Sequence, residues 1–128
     1  MRYIIDAWAW VEYLIGSNYG EKIRNIIEND ENEIFTSSVT IAEVLSVVKR
    51  ENRNFEEAYK IILSNSKAFD VTSEIVKETA LIHAEAKKKI KDFGLADSFI
   101  LSSSKRLNAK IITGDPHFKG FSNVLLIK

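Results

Sequence analysis

Four acidic residues occupy positions where chemistry is easiest to place: Asp6, Glu43, Asp97 and Asp115. Asp6 closes the apolar run Tyr3-Ile4-Ile5, and Asp115 comes two residues after Ile111-Ile112-Thr113. In an open parallel sheet, ligands gather beyond the carboxyl ends of the strands. Both acids are therefore expected on one edge of the sheet. Each alone has a plain structural reading, because Asp is common where strands stop and turns begin. Asp97 is the sharper case. On a helical wheel it lies among Ala96, Ile100, Leu101, Ser104 and Leu107, inside its own helix's apolar stripe. A carboxylate there needs hydrogen bonds, a proton or a cation. Capping the helix after Gly94 is the competing role, although Asp97 comes one or two residues late for it. Glu43 borders the stripe Ile41, Val44, Leu45 and Val48. An exposed position, or a capping box with Thr40, competes there with a ligand role.

Four carboxylates in one cleft repel one another, and such a group persists in the company of a divalent cation. Oxygen ligands without cysteine point to Mg²⁺ or Mn²⁺. Cysteine is absent, which removes disulfides, thiol chemistry and Cys-ligated zinc. His83 and His117 are far apart and form no HExxH pair. His83 is expected at a packing boundary, and His117, close to Asp115, as a peripheral substrate contact. No GxGxxG, GxxxxGK[ST] or GxSxG occurs. Ser102, Ser103 and Ser104 have no histidine partner in the pattern and are expected to face neighbouring helices. Trp8 and Trp10 read as core and subunit-contact aromatics.

The elements that must position these acids alternate. Residues 2–6 form a first strand, 7–16 a helix stopped near Gly16, and 19–30 a second helix. A strand over 34–37 is followed by a helix over 40–51, capped by Ser38 or Thr40. A helix over 54–64, a short strand over 68–71 and a long helix over 73–90 capped by Thr72 come next. Gly94 precedes a helix over 95–107. A strand over 109–113, a turn over 114–120 and a strand over 124–127 complete the chain. The strands are near-continuous apolar runs, as expected where both faces of a parallel sheet are covered. The expected fold is α/β: one domain over residues 1–128, a three-layer α/β/α sandwich with a short, mainly parallel central sheet.

Eighteen basic and eighteen acidic residues give a formal net charge of zero, so no global field draws in nucleic acid. Thirteen lysines against five arginines disfavour a large bidentate base-reading surface. The basic cluster Lys87, Lys88, Lys89 and Lys91 is either a solvated helix end or a contact to a phosphate backbone. Zero net charge favours self-association or a partner. No apolar run approaches the roughly 18 residues of a membrane span. The apolar start carries an acid at its sixth position and reads as a strand, not a signal peptide. The cytoplasm is the expected location.

The segments YIIDAWAWVEYL, SSVTIAEVLSVV and GLADSFILSSSKRLNAKIITGDPHF resemble the successive motifs of a PIN domain. More narrowly they resemble the compact, stand-alone PIN proteins of the VapC toxin type. The resemblance runs from Tyr3 to the final strand. It implies Asp6, Glu43, Asp97 and Asp115 as the metal-binding and catalytic acids, with Mg²⁺ or Mn²⁺ as cofactor. It implies Thr113 as the hydroxyl that orients a ligand or water. It also implies hydrolysis of RNA by water that the cation activates, a homodimer, and silencing by a small VapB-type antitoxin that binds DNA. Where the family commonly has Ser or Thr after the first aspartate, this chain has Ala7. Two alternatives stand beside the RNA reading: a DNA or structure-specific nuclease, and a degenerate PIN-like binding module without activity.

Overall fold

Short β-branched runs and amphipathic helices alternate along the chain. The computed structural model, which describes residues 1–128, packs them as an α/β/α sandwich. Strand β1 (Arg2–Ile5) leads into α1 (Ala7–Ile15) and α2 (Asn18–Ile27). Strand β2 (Glu33–Ser37) leads into α3 (Ser38–Arg50) and α4 (Phe55–Asn65). Strand β3 (Lys67–Phe69) leads into α5 (Ser73–Ala86) and α6 (Leu95–Leu107). Strand β4 (Lys110–Thr113) passes through a 3-10 turn (Pro116–Phe118) to β5 (Val124–Leu126). The strands lie in the order β3-β2-β1-β4-β5, and all four pairings are parallel. No helix is long and apolar enough to cross a membrane.

Side chains alternate across a strand, and here both faces are buried. Ile5 and Ile112 point into one core with Trp10, Ile23, Val44 and Ile62, supplied by α1 to α4. Ile4 and Ile111 point into the other with Ile100, Leu101, Phe93 and Phe118, beneath α6 and the 3-10 turn. These four isoleucines of β1 and β4 are fully buried, which is why the two strands read as continuous apolar runs. Polar groups inside the first core are paired in series. Trp10 Nε1 donates to Thr36 Oγ1 (3.1 Å), Thr36 donates to Ser66 Oγ (2.8 Å), and Ser66 donates to the Ile62 carbonyl (2.7 Å). Ser102, Ser103 and Ser104 are buried on α6, and the Ser104 hydroxyl closes on the Ala109 carbonyl at 2.6 Å.

Several boundaries differ from the expected ones for local reasons. Strand β2 runs into α3 without a loop, so Ser37 serves as both last strand residue and N-cap, accepting from the Val39 amide. Ser38 and Thr40 lie inside the helix and do not cap it, and the capping box between Thr40 and Glu43 does not form. The second helix stops at Ile27. Beyond it the Asn29 side chain accepts from the Glu31 amide, and the Asn29 carbonyl from the Asn32 amide, making a turn. The helix expected over 73–90 ends at Ala86. Lys87 to Lys89 continue as turns that swing Phe93 into the second core, where it is fully buried.

Helices α1 and α2 meet at Gly20. A Cβ there would lie 2.2 Å from the Glu12 carbonyl oxygen, which is backbone and cannot rotate away. Gly20→Ala is expected to destabilise the protein by about 1–3 kcal/mol through overpacking. Urea denaturation measures it: the midpoint should fall with the slope unchanged, and an unaltered midpoint would contradict this close approach.

Candidate metal centre

Asp6 follows the last residue of β1, at the centre of the sheet. It is the N-cap of α1, and its Oδ1 accepts from the Ala9 amide at 2.8 Å. Its Oδ2 accepts from the Thr113 hydroxyl. Thr113 ends the neighbouring strand β4, in register through the Ile5–Ile112 pair. The same hydroxyl oxygen accepts from the Asp115 amide at 3.0 Å. Asp115 caps the 3-10 turn, with Oδ1 accepting from the His117 amide at 2.9 Å and lying 3.5 Å from His117 Nδ1. One hydroxyl therefore ties the acid after β1 to the acid after β4. Gly114 sits between Thr113 and Asp115 beneath the Trp8 ring. A Cβ there would lie 2.6 Å from the indole, so any side chain at this turn would have to displace the Trp8 ring.

Asp97 and Glu43 reach this edge from two helices. Asp97 stands in the first turn of α6 and is half-buried. Gly94 is the N-cap and has no side chain to offer. The Gly94 amide stabilises the Asp97 carboxylate, so the capping role weighed against a ligand role is present in part. A carboxylate oxygen of Asp97, one of Asp115 and a ring nitrogen of His117 all lie within 4.8 Å of one another. Glu43, in the second turn of α3, is exposed as a whole residue. Partial burial still pushes its carboxyl up in pKa, and the charge of Asp97 pushes it further.

The electrostatics of the edge are those of acids without a counter-ion. Burial raises Asp6 from 3.8 to about 7. The hydrogen bonds from Thr113 and Ala9 act against that rise, and the charges of Asp97 and Asp115 add to it. Asp97 is raised by burial and then by Asp115, while the Gly94 amide and His117 oppose the shift. No lysine or arginine forms an ion pair with any of the four acids. Hard carboxylate oxygens with one imidazole, converging without a basic partner, are a donor set that fits a divalent cation.

Sequence reasoning placed His117 at the periphery, as a substrate contact. Its imidazole instead stands among the potential ligand atoms, and the D-x-H spacing was the available signal. Within the basic cluster, two lysines have local partners. Lys87 Nζ donates to the Lys91 carbonyl (2.6 Å), and Lys88 pairs with Glu85 (3.2 Å). Lys89 lines a cavity with Lys105 and Lys119, neither of which the sequence singled out. Trp8, read as a core or subunit-contact residue, is half-buried between Gly114 and Tyr19.

Comparison with known proteins agrees with this architecture. The family model described as PIN domain matches residues 3–123. No curated protein matches the sequence significantly. Among solved structures, a chain of a toxin-antitoxin complex from Klebsiella pneumoniae superposes with a TM-score of 0.78 at 19% identity. It covers 98% of this chain and 98% of its own. A chain of VapBC2 from Rickettsia felis, bound to a DNA fragment from its promoter, has a TM-score of 0.75 at 21% identity, covering 98% and 97%. VapC20 of Mycobacterium tuberculosis, a sarcin-ricin loop cleaving toxin, has a TM-score of 0.76 at 12% identity, covering 95% and 96%.

The raised pKa of Asp6 fixes a pH dependence. Between about pH 4 and 7 the folded protein holds a proton on Asp6 that the unfolded chain has released. This contribution to stability is present below pH 4 and lost as pH rises through about 7. Asp6→Asn keeps the shape and removes the charge. In EDTA at pH 8 it is expected to be more stable than the parent by roughly 2–4 kcal/mol, and at pH 4 nearly equal to it. Urea unfolding at the two pH values checks this. A D6N protein no more stable than its parent at pH 8 would mean that Asp6 is not under electrostatic strain.

Proposed function

The chain belongs to the PIN domain family, and on that premise we propose that it is a divalent-cation-dependent endoribonuclease, the toxin of a toxin–antitoxin pair. The observation that carries the proposal is the cluster of Asp97, Asp115 and His117 ligand atoms within 4.8 Å of one another, with the charge of Asp6 coupled to both acids and that of Glu43 to Asp97. The similar solved structures, a toxin-antitoxin complex and a sarcin-ricin loop cleaving toxin among them, support the same reading.

Asp6 and Asp97 would be the principal ligands of Mg²⁺ or Mn²⁺, with Asp115 and Glu43 binding directly or through water. The imidazole of His117 stands beside them as a further donor. A divalent cation there lowers the pKa of water and offsets charge on the phosphoryl oxygens. The chain's own residues do the positioning. The Ala9 amide and the Thr113 hydroxyl each hold one oxygen of Asp6 and fix the plane of its carboxylate. The His117 amide holds Asp115 in the same way. Thr113 links the Asp6 carboxylate to the Asp115 backbone amide, which ties the first acid to the turn that carries the second. Ser98 and Ser102 to Ser104 are buried on α6, and water is the proposed nucleophile. Water adds to the phosphorus, the bond to the 3′ oxygen breaks, and the products carry a 5′ phosphate and a 3′ hydroxyl. The 2′-hydroxyl takes no part, so preference for RNA rests on binding.

Apolar side chains left exposed support a partnered state. Phe55, Tyr59 and Leu63 recur at four-residue spacing along one face of α4, and Val76 and Leu81 stand out on α5. A second copy and a small VapB-type antitoxin are the proposed partners, and the cytoplasm is the proposed location.

Purified protein should cleave single-stranded RNA in Mn²⁺ or Mg²⁺ and stop in EDTA. Asp97→Asn keeps the carbonyl beside Gly94 and should leave the thermal melt in place. Losing a groups that merely support metal ligands costs activity about 10–100-fold, so losing a ligand charge should cost at least about 100-fold. Cleavage by D97N equal to that of the parent would remove the assignment. Parallel assays on single-stranded DNA and flap substrates separate an RNA enzyme from a DNA or structure-specific one.

A further inference from the structure

A cavity of about 500 Å³ opens between α5, α6 and the connection from β4 to β5. Its floor is apolar, built from Ile90, Leu101 and the partly exposed ring of Phe121. Its rim carries Lys89, Lys105 and Lys119, all exposed and none engaged in an ion pair. Glu85 also lines it, but its carboxylate is paired with Lys88 at 3.2 Å. On a chain with zero net charge, three unpaired lysines around one opening form a local positive field.

The cavity is joined to the acid cluster. Lys119 follows Asp115 by four residues, on the same connection. The Phe121 ring packs on Phe93 (5.9 Å between centroids), and Phe93 packs near His117 (6.5 Å). A polyanionic strand entering the acid edge meets carboxylates, so the phosphates flanking the reacting one need cations from the protein. Lys89, Lys105 and Lys119 at the cavity are such a group of unpaired lysines, and Lys119 lies on this loop. An apolar, partly aromatic floor beneath a lysine rim matches a nucleotide, with the base on the floor and phosphates on the ammonium groups. The volume suits one.

We propose that this cavity holds a nucleotide of a single-stranded substrate beside the cleavage site, with Lys89, Lys105 and Lys119 on its phosphates. The proposal rests on the nuclease reading and adds the place where the strand is gripped.

The test uses the full chain with Asp97→Asn, so that RNA stays intact, and a fluorescein-labelled single-stranded RNA 12-mer followed by anisotropy in Mg²⁺. Adding K89Q/K105Q/K119Q should raise Kd by about 10-fold or more and reduce the slope of log K against log salt by about 2. The control K22Q/K49Q/K60Q removes the same charge from exposed lysines on α2, α3 and α4. It should change neither quantity. Equal losses in the two triple variants, or none in the cavity variant, would overturn the site. So would failure of the D97N protein to bind the 12-mer, which would leave the cavity to an acidic segment of a protein partner. If the cavity variant loses binding while the parent cleaves no RNA in any metal, the nuclease reading fails and the binding site stands.

Discussion

The whole arrangement depends on a carboxylate buried at a strand end. Asp6 is only 7% exposed, stands between two other acids and has no basic partner. Its charge is tolerated because each oxygen has a donor, the Ala9 amide on one side and the Thr113 hydroxyl on the other. These bonds lower its pKa but do not cancel the burial, and the group settles near neutrality. A fold optimised for stability alone would place an asparagine or an apolar residue there. Strain kept at one position, and over-determined by the surroundings, is what a site prepared for a cation looks like.

Topology makes this strain available. The chain builds β1, β2 and β3 outward in one direction, then returns to place β4 and β5 on the other side of β1. The crevice at that reversal lies between β1 and β4, and those are the strands whose ends carry Asp6 and Thr113. Parallel pairing puts both carboxyl ends on the same edge. Helices entering from that edge add their own acids: α3 starts directly at the end of β2 and brings Glu43, and α6 brings Asp97 in its first turn. Three of the four acids also have a local job. Asp6 and Asp115 are caps, and Asp97 is held by the Gly94 amide. The same contacts that end strands and begin helices therefore orient the carboxylates.

Much of this was legible in the residues. Both-face burial of Ile4, Ile5, Ile111 and Ile112 produces the continuous apolar runs from which a parallel sheet is read. Asp97 stood out because an acid on an apolar stripe needs a reason. What stayed hidden depends on contacts between distant segments. The cap of α3 was misplaced because Ser37 belongs to the strand as well, an overlap that no cap preference encodes. The early end of α5 follows from the pull of Phe93 into a core whose shape the sequence does not display. His117 was assigned to the periphery because its distance from Asp97 depends on how the 3-10 turn and α6 pack. Lys105 and Lys119 are unremarkable singly. They become a group with Lys89 only when three elements meet around one opening.

A net charge of zero conceals a separation that matters more than the sum. The acid edge collects unpaired negative charge, and the cavity beside the β4–β5 connection collects unpaired positive charge. Some charges elsewhere are paired locally, as Arg2 with Glu33 and Arg106 with Glu78. A phosphodiester strand is repelled by the acid edge until a cation is present, while the lysine rim attracts it regardless. On the proposed reading, gripping and reacting fall to different surfaces, linked by the packing of Phe121 on Phe93 and of Phe93 near His117. Binding would then depend on salt through the lysines, and turnover on pH and metal through the acids. The ring contacts that separate the two surfaces also fix their spacing, because Phe93 is fully buried and cannot shift without disturbing the second core.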